Sequence, residues 1–147
     1  DDLFGDGVTR AIGTNHTNVN SGEPESAVYA FDIPDDPETT PWPKTKISEG
    51  IVSEPNEGFA NMAAPGVFGV GDIEGDGDLD IALSGDGDKR AFVLEQVTSG
   101  QFITTPICDP CGQAGGMKIV DLNEDGSMEI VITAYEQNSV YVFEYND

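Results

Sequence analysis

Asp72-Ile73-Glu74-Gly75-Asp76-Gly77-Asp78-Leu79-Asp80 and Asp121-Leu122-Asn123-Glu124-Asp125-Gly126-Ser127-Met128-Glu129 are two copies of one nine-residue pattern. An altered third copy lies at the start of the chain, Asp2-Leu3-Phe4-Gly5-Asp6-Gly7-Val8-Thr9-Arg10. The copies start 70 and then 49 residues apart, so a short core recurs with long variable material between copies. Val67-Phe68-Gly69-Val70 and Met117-Lys118-Ile119-Val120 precede the second and third copies. Short β-rich runs follow all three: Ala11-Ile12-Gly13-Thr14, Ile81-Ala82-Leu83-Ser84 and Ile130-Val131-Ile132-Thr133-Ala134. A further run rich in Val, Tyr and Phe comes next in each, over Ala27 to Ile33, Ala91 to Val97 and Val140 to Tyr145. Gly85-Asp86-Gly87-Asp88 has the residues of a tight hairpin turn. Lys44 to Ser48 and Phe102 to Ile107 are candidate fourth strands. The unit therefore reads strand, acidic loop, strand, turn, strand, connection, strand, and four antiparallel strands per unit make a propeller blade. The expected fold is all-β, with about three partly incomplete blades near residues 1–48, 59–107 and 114–147 in one repeat region.

Helix competes poorly, because no window keeps the i, i+3, i+4, i+7 pattern and Gly and Pro interrupt the candidates. The 18 glycines and 9 prolines fall as punctuation between apolar stretches, as turns in a β protein require. Residues 34–43 form a Pro-rich extended connection, with Trp42 expected as a core or packing tryptophan and, as the alternative, the anchor of that connection. No stretch approaches the roughly 18 to 20 apolar residues of a membrane span, and the first residues do not read as a signal peptide. If the protein is secreted, its leader is expected to have been removed.

Six Lys and Arg against 28 Asp and Glu give a net charge of −22. Nucleic acid and anionic membranes are poor partners for such a chain, since phosphate binding needs clustered cations. A solvating acidic surface would spread its charge. Here twelve of the 28 acids, Asp1, Asp2, Asp6, Asp72, Glu74, Asp76, Asp78, Asp80, Asp121, Glu124, Asp125 and Glu129, fall in the three short segments or, for Asp1, directly beside the first, which points to divalent cations.

Counting from the first Asp, positions 1, 3, 5 and 9 carry side-chain oxygens: Asp72, Glu74, Asp76 and Asp80 in the second copy, Asp121, Asn123, Asp125 and Glu129 in the third. Alternate residues of a curled loop point to one centre, and the Gly after position 5 allows the positive φ that curls it. The backbone carbonyl at position 7, Asp78 or Ser127, would complete the shell. Oxygen-only donors in a flexible loop select Ca²⁺ over zinc or copper. In the first copy Phe4 and Arg10 replace two of the ligands. Asp2 and Asp6 remain there, and Arg10 is expected to pair with them in place of a metal.

An EF-hand or dockerin loop starts similarly but leads into a helix, with its last acidic ligand at position 12, whereas position 9 here leads straight into strand residues. Asp72 to Ile81 and Asp121 to Ile130, with Phe68-Gly69 and Ala64-Pro65 ahead of the first, resemble the FG-GAP/VCBS repeats of integrin-type β-propellers. The resemblance implies that each calcium loop joins the first two strands of a blade, within a propeller that generally has seven. It also implies an extracellular or cell-surface scaffold displaying loops for adhesion, protein or carbohydrate binding. Three blades cannot close a ring. The chain therefore reads as a window of a longer polypeptide, or as a unit whose copies complete each other's end blades into a ring or filament. A carbohydrate-binding lectin and an accessory domain of a larger secreted enzyme are the alternatives. Catalysis by the chain itself is not expected, because its paired carboxylates are spaced for a metal loop rather than across a cleft.

Cys108-Asp109-Pro110-Cys111 admits redox chemistry, half a zinc site or a small disulfide. With no second pair to finish a zinc site and no α/β context for redox chemistry, a disulfide closing a surface turn is expected, in keeping with an oxidising compartment. Asn15-His16-Thr17 is an N-glycosylation sequon just past a strand, which would make the protein a glycoprotein with its sugar on Asn15. His16 is expected at the surface.

Overall fold

The computed structural model describes residues 1–18, 25–52, 62–63 and 65–145. They form strands only: β1 (Arg10–Thr14), β2 (Thr17–Asn18), β3 (Glu25–Asp32), β4 (Lys44–Val52), β5 (Met62–Ala63), β6 (Phe68–Gly71), β7 (Asp80–Ser84), β8 (Ala91–Thr98), β9 (Gln101–Cys108), β10 (Ala114–Val120), β11 (Glu129–Ala134) and β12 (Ser139–Glu144). Ten of them make three antiparallel sheets, ordered β1-β3-β4, β6-β7-β8-β9 and β10-β11-β12. The expected four-stranded unit is complete in the middle sheet, and each flanking sheet has three strands among the described residues. No helix there is long and apolar enough to cross a membrane.

Strands fall where the sequence places them, with two additions. The strand expected over 44–48 continues to Val52, and a short antiparallel pairing of β2 with β5 has no sequence counterpart. Ala64, quoted with Pro65 as part of the repeat signature, and the start of the second blade near residue 59 lie outside the described residues. Trp42 corrects the expectation of a packing tryptophan. It remains 39% exposed, and its Nε1 donates to the Pro37 carbonyl at 3.1 Å, tying the Pro-rich connection to itself rather than to the core.

The middle sheet is covered on both faces, which is why β7 and the first half of β8 read as unbroken apolar runs instead of alternating ones. Successive side chains still point to opposite faces. Ile81, Leu83, Phe92 and Leu94 pack with Leu3, Phe4, Val28, Ala30, Ile47 and Ile51 on the side of the first sheet. Ala82, Ala91 and Val93 pack with Met117, Ile119, Ile130 and Ile132 on the side of the third.

That second seam depends on missing side chains. A Cβ on Gly69 would stand 2.9 Å from Lys118 Cα, and one on Gly71 would stand 2.7 Å from Ile119 Cγ2. β10 can lie against β6 only because those two positions are glycine. Cys108 and Cys111 form the expected disulfide, joining the end of β9 to the approach of β10. Cys111 is buried in the same seam, and its N–H, with that of Gly112, donates to Lys89 O.

Candidate metal centres

The three acidic loops share one backbone design. Position 6 is Gly7, Gly77 or Gly126, with φ of 85°, 97° and 94°, the left-handed values expected of it. Position 4 is left-handed as well, at Gly5, Gly75 and, in the third loop, Glu124 with φ 62°. The first Asp of each loop faces inward and accepts from the loop's own amides. Asp2 takes Asp6 N and Gly7 N, Asp72 takes Gly75 N, Asp76 N and Gly77 N, and Asp121 takes Asp125 N and Gly126 N, at 2.7 to 3.1 Å. Position 5 repeats this two residues on: Asp6 Oδ1 accepts Val8 N, Asp76 Oδ1 accepts Asp78 N, and Asp125 Oδ1 accepts Ser127 N. Asn123 Oδ1 also accepts Asp125 N at 2.9 Å.

Position 9 reaches back across the loop. Asp80, fully buried, receives Ile73 N on Oδ2 and Gln96 N on Oδ1, both at 2.8 Å. Glu129, also buried, receives Leu122 N on Oε2 at 2.7 Å and Asn123 Nδ2 on Oε1 at 3.2 Å. In the first loop Arg10 holds this position. It bonds Asp6 through both terminal nitrogens and Asp32 through Nε, and its guanidinium lies 4.0 Å from the Phe4 ring centroid. The expected Arg10–Asp6 pair is present, whereas Asp2 serves the loop amides and Asp32 takes the place foreseen for it. The Arg10 guanidinium and the Val8 amide hold Asp6 down at a pKa of about 2.

Asp32 also reveals something that spacing along the chain did not. It pairs across strands with Arg10, and Glu144 pairs with Glu129 in the same register. The middle-sheet register, with Ile81 opposite Leu94, sets Glu95 beside Asp80. Each loop thus meets an acidic residue from the strand beyond it.

The second loop is electrostatically unsettled. Burial first, then the charges of Asp80 and Glu95, push Glu74 up to about 7. Burial likewise raises Asp80, outweighing its two amide bonds. Glu74 Oε2 is buried with no amide or hydroxyl donor bonded to it among the described residues, and the side chain within hydrogen-bond reach of the Glu74 carboxyl is that of Asp80. In the third loop the Ser127 amide lowers Asp125.

Among the described residues no three His, Cys, Asp or Glu side chains are gathered as metal ligands, since the loop carboxylates are turned onto amides. The donor set nonetheless fits a hard divalent ion. It is all oxygen, each carboxylate keeps lone pairs beyond its amide bonds, and the Glu74 oxygen without an amide or hydroxyl donor, beside buried Asp80, lacks the positive charge that Arg10 supplies to the first loop.

Asn15 lies just past β1, with Oδ1 accepting Ala27 N at 2.6 Å. His16 is exposed, as expected.

Antiparallel sheets whose first two strands are joined by a glycine-curled acidic loop define a class of β repeat protein. Residues 72–132 match the family model of the FG-GAP-like repeat. The match spans the second loop, β7 to β10, the third loop and the first part of β11, so the resemblance seen in the two intact loops is shown for that segment. No curated protein and no solved structure matches the chain.

Proposed function

We propose that this chain is a calcium-binding module of β-propeller type with a structural or adhesive role outside the cell and no catalysis of its own. The observation that carries the reading is the second loop, where a Glu74 oxygen without an amide or hydroxyl donor lies beside a buried Asp80 while the equivalent place in the first loop is filled by Arg10. Asp72, Glu74, Asp76, Asp80 and the Asp78 carbonyl would hold one ion. Asp121, Asn123, Asp125, Glu129 and the Ser127 carbonyl would hold another. The bound ions would supply positive charge at two blade corners, and an ion that binds only the folded state stabilises it by mass action. The Cys108–Cys111 disulfide and the FG-GAP-like segment support an oxidising, extracellular setting, in which Asn15 would carry a glycan.

Scanning calorimetry in millimolar calcium and in EDTA tests this reading. A melting temperature several degrees higher in calcium is expected, and identical melts would overturn it.

Assembly through the end sheets belongs to the same reading. Val140 and Val142 stand 63% and 49% exposed on the third sheet, whereas their counterparts in the middle sheet, Ala91 and Val93, are buried, so a neighbouring sheet would cover them. Sedimentation in calcium reports whether copies associate.

A second reading, carbohydrate binding, is favoured by an open depression of about 380 Å³ where Thr133, Asn138 and Ser139 lie beside Tyr135, which is 75% exposed. Aromatic faces with adjacent hydroxyl and amide groups suit sugars, and a glycan array compared with a Tyr135→Ala variant tests it.

A further inference from the structure

Gln96 is fully buried on β8 and joins parts of the chain that are distant in sequence. Its backbone N–H donates to Asp80 Oδ1 at 2.8 Å, fixing one oxygen of the last acidic residue of the second loop. Its side-chain Nε2 donates to Leu79 O at 3.2 Å and, 93 residues away in sequence, to Leu3 O at 2.9 Å. Its Oε1 accepts Gly100 N at 2.7 Å. One amide side chain thereby uses both donors and its acceptor on three backbone groups from the first loop, the second loop and the β8–β9 turn.

The first loop is seated on that turn by a second bond and by packing. Ser99 Oγ donates to Phe4 O at 2.8 Å, and the Phe4 ring meets Phe102 at 6.2 Å between centroids. Gly100 lies against the same ring, where an added Cβ would stand 3.4 Å from Phe4. Leu3 and Phe4 are both buried in the core between the first two sheets. The first loop therefore closes that core, and what holds it there is continuous with what holds Asp80.

We propose that Gln96 is a positioning residue that couples cation binding in the second loop to the seating of the first loop, which takes no ion itself. The inference rests on the calcium reading of the second loop. A cation engaging Asp80 favours the arrangement in which both its oxygens stay aligned with Ile73 N and Gln96 N, and in that arrangement the Gln96 side chain reaches Leu3 O. Linkage makes the effect reciprocal, so the seated first loop also favours the ion. The path consists of buried hydrogen bonds without a gap, a physical route along which such coupling can travel. Arg10 already pairs with Asp6 in the first loop, in the place an added cation would take, so a response of that loop to calcium is expected to come through Gln96.

The test is hydrogen exchange of the full chain in calcium and in EDTA, with calcium binding measured by titration calorimetry on the same samples. In the wild type, calcium is expected to slow exchange in a peptide covering residues 3–10 by about fivefold or more. In Gln96→Leu, calcium should still bind, while residues 3–10 lose their response and residues 72–80 keep theirs. Gln96→Met serves the same purpose at closer length, and a wild-type chain that lacks the response overturns the coupling even if neither variant folds. Calcium binding with no change over residues 3–10 in the wild type overturns the coupling and leaves the calcium reading standing, as does a response that survives in a Gln96 variant. Absence of calcium binding to the wild type overturns both.

Discussion

The Arg10 guanidinium grips both carboxylate oxygens of Asp6, at 2.7 and 2.8 Å, from the position that Asp80 and Glu129 hold in the other loops. One loop of the three carries its cation as a side chain, and the other two present carboxylates at that place. The comparison within a single chain explains why the first loop keeps its curl with only two acids of its own. It also yields an exchange experiment. Arg10→Asp recreates the acidic ninth position opposite Asp6 and Asp32, so like charges face each other where a fork of hydrogen bonds stood. The variant is expected to melt several degrees below wild type in EDTA and to recover part of that loss in calcium. Arg10→Ala should show the loss without the recovery, and calorimetry of both variants in the two buffers checks the pair.

The strands and loops were legible because their signals run along the chain. Ile81 to Ser84 and Ile130 to Ala134 follow their acidic loops directly, and Gly77 and Gly126 announce the left-handed turns that the structure places there. What sequence reading missed runs across the chain. Asp32, Glu95 and Glu144 meet their loops through strand register, and Gln96 reaches Leu3 from 93 residues away. Loop spacing also suggests acids pointing at an ion, whereas Asp72 and Asp121 each satisfy several loop amides. Spacing identifies which residues share a centre but not which donors they serve within it.

Asp88 should make the protein sensitive to acid. Its carboxylate is 1% exposed and accepts from Val52 N, Arg90 N and the Arg90 guanidinium, fastening the β7–β8 hairpin to the end of β4. Burial alone would raise its pKa, but the Arg90 and Val52 donors outweigh it and hold the group below its ordinary value. A carboxyl depressed in the folded state contributes stability that is fully present above the unfolded value of roughly 3.9 and is lost as pH falls through the folded one. The melting temperature of Asp88→Asn should therefore lie below wild type at pH 7 and converge with it as pH drops below about 4. Removing one partner of so buried a pair costs on the order of 3 kcal/mol, and less here because Arg90 is partly exposed. A melting series from pH 7 to pH 3 measures both effects.

Gly69 should tolerate no side chain. The nearest atoms to an added Cβ are backbone, Lys118 Cα at 2.9 Å and Ile119 N at 3.0 Å, and backbone cannot rotate aside as a side chain can. Gly69→Ala is expected to force β6 and β10 apart and to cost roughly 1–3 kcal/mol, as overpacking of a tight core does. Chemical denaturation with an unchanged slope and a lower midpoint would show it. Gly71→Ala meets Ile119 Cγ2 at 2.7 Å and Cβ at 3.1 Å, a buried β-branched side chain with a stiff χ1, and should also lower the midpoint.

Glu124 offers the opposite outcome, a substitution that stabilises. It holds φ 62° at the position filled by Gly5 and Gly75 in the other two loops. A left-handed conformation costs an L-residue with a Cβ about 1–2 kcal/mol relative to its right-handed alternatives. Glycine removes that penalty but loses more chain entropy on folding, by roughly 0.5–1 kcal/mol. The difference favours Glu124→Gly by about 0.5–1 kcal/mol, which thermal melts in EDTA would resolve as a rise in midpoint. Removing one acid from a chain of net charge −22 acts in the same direction, so the gain should shrink at high salt to the part owed to backbone geometry.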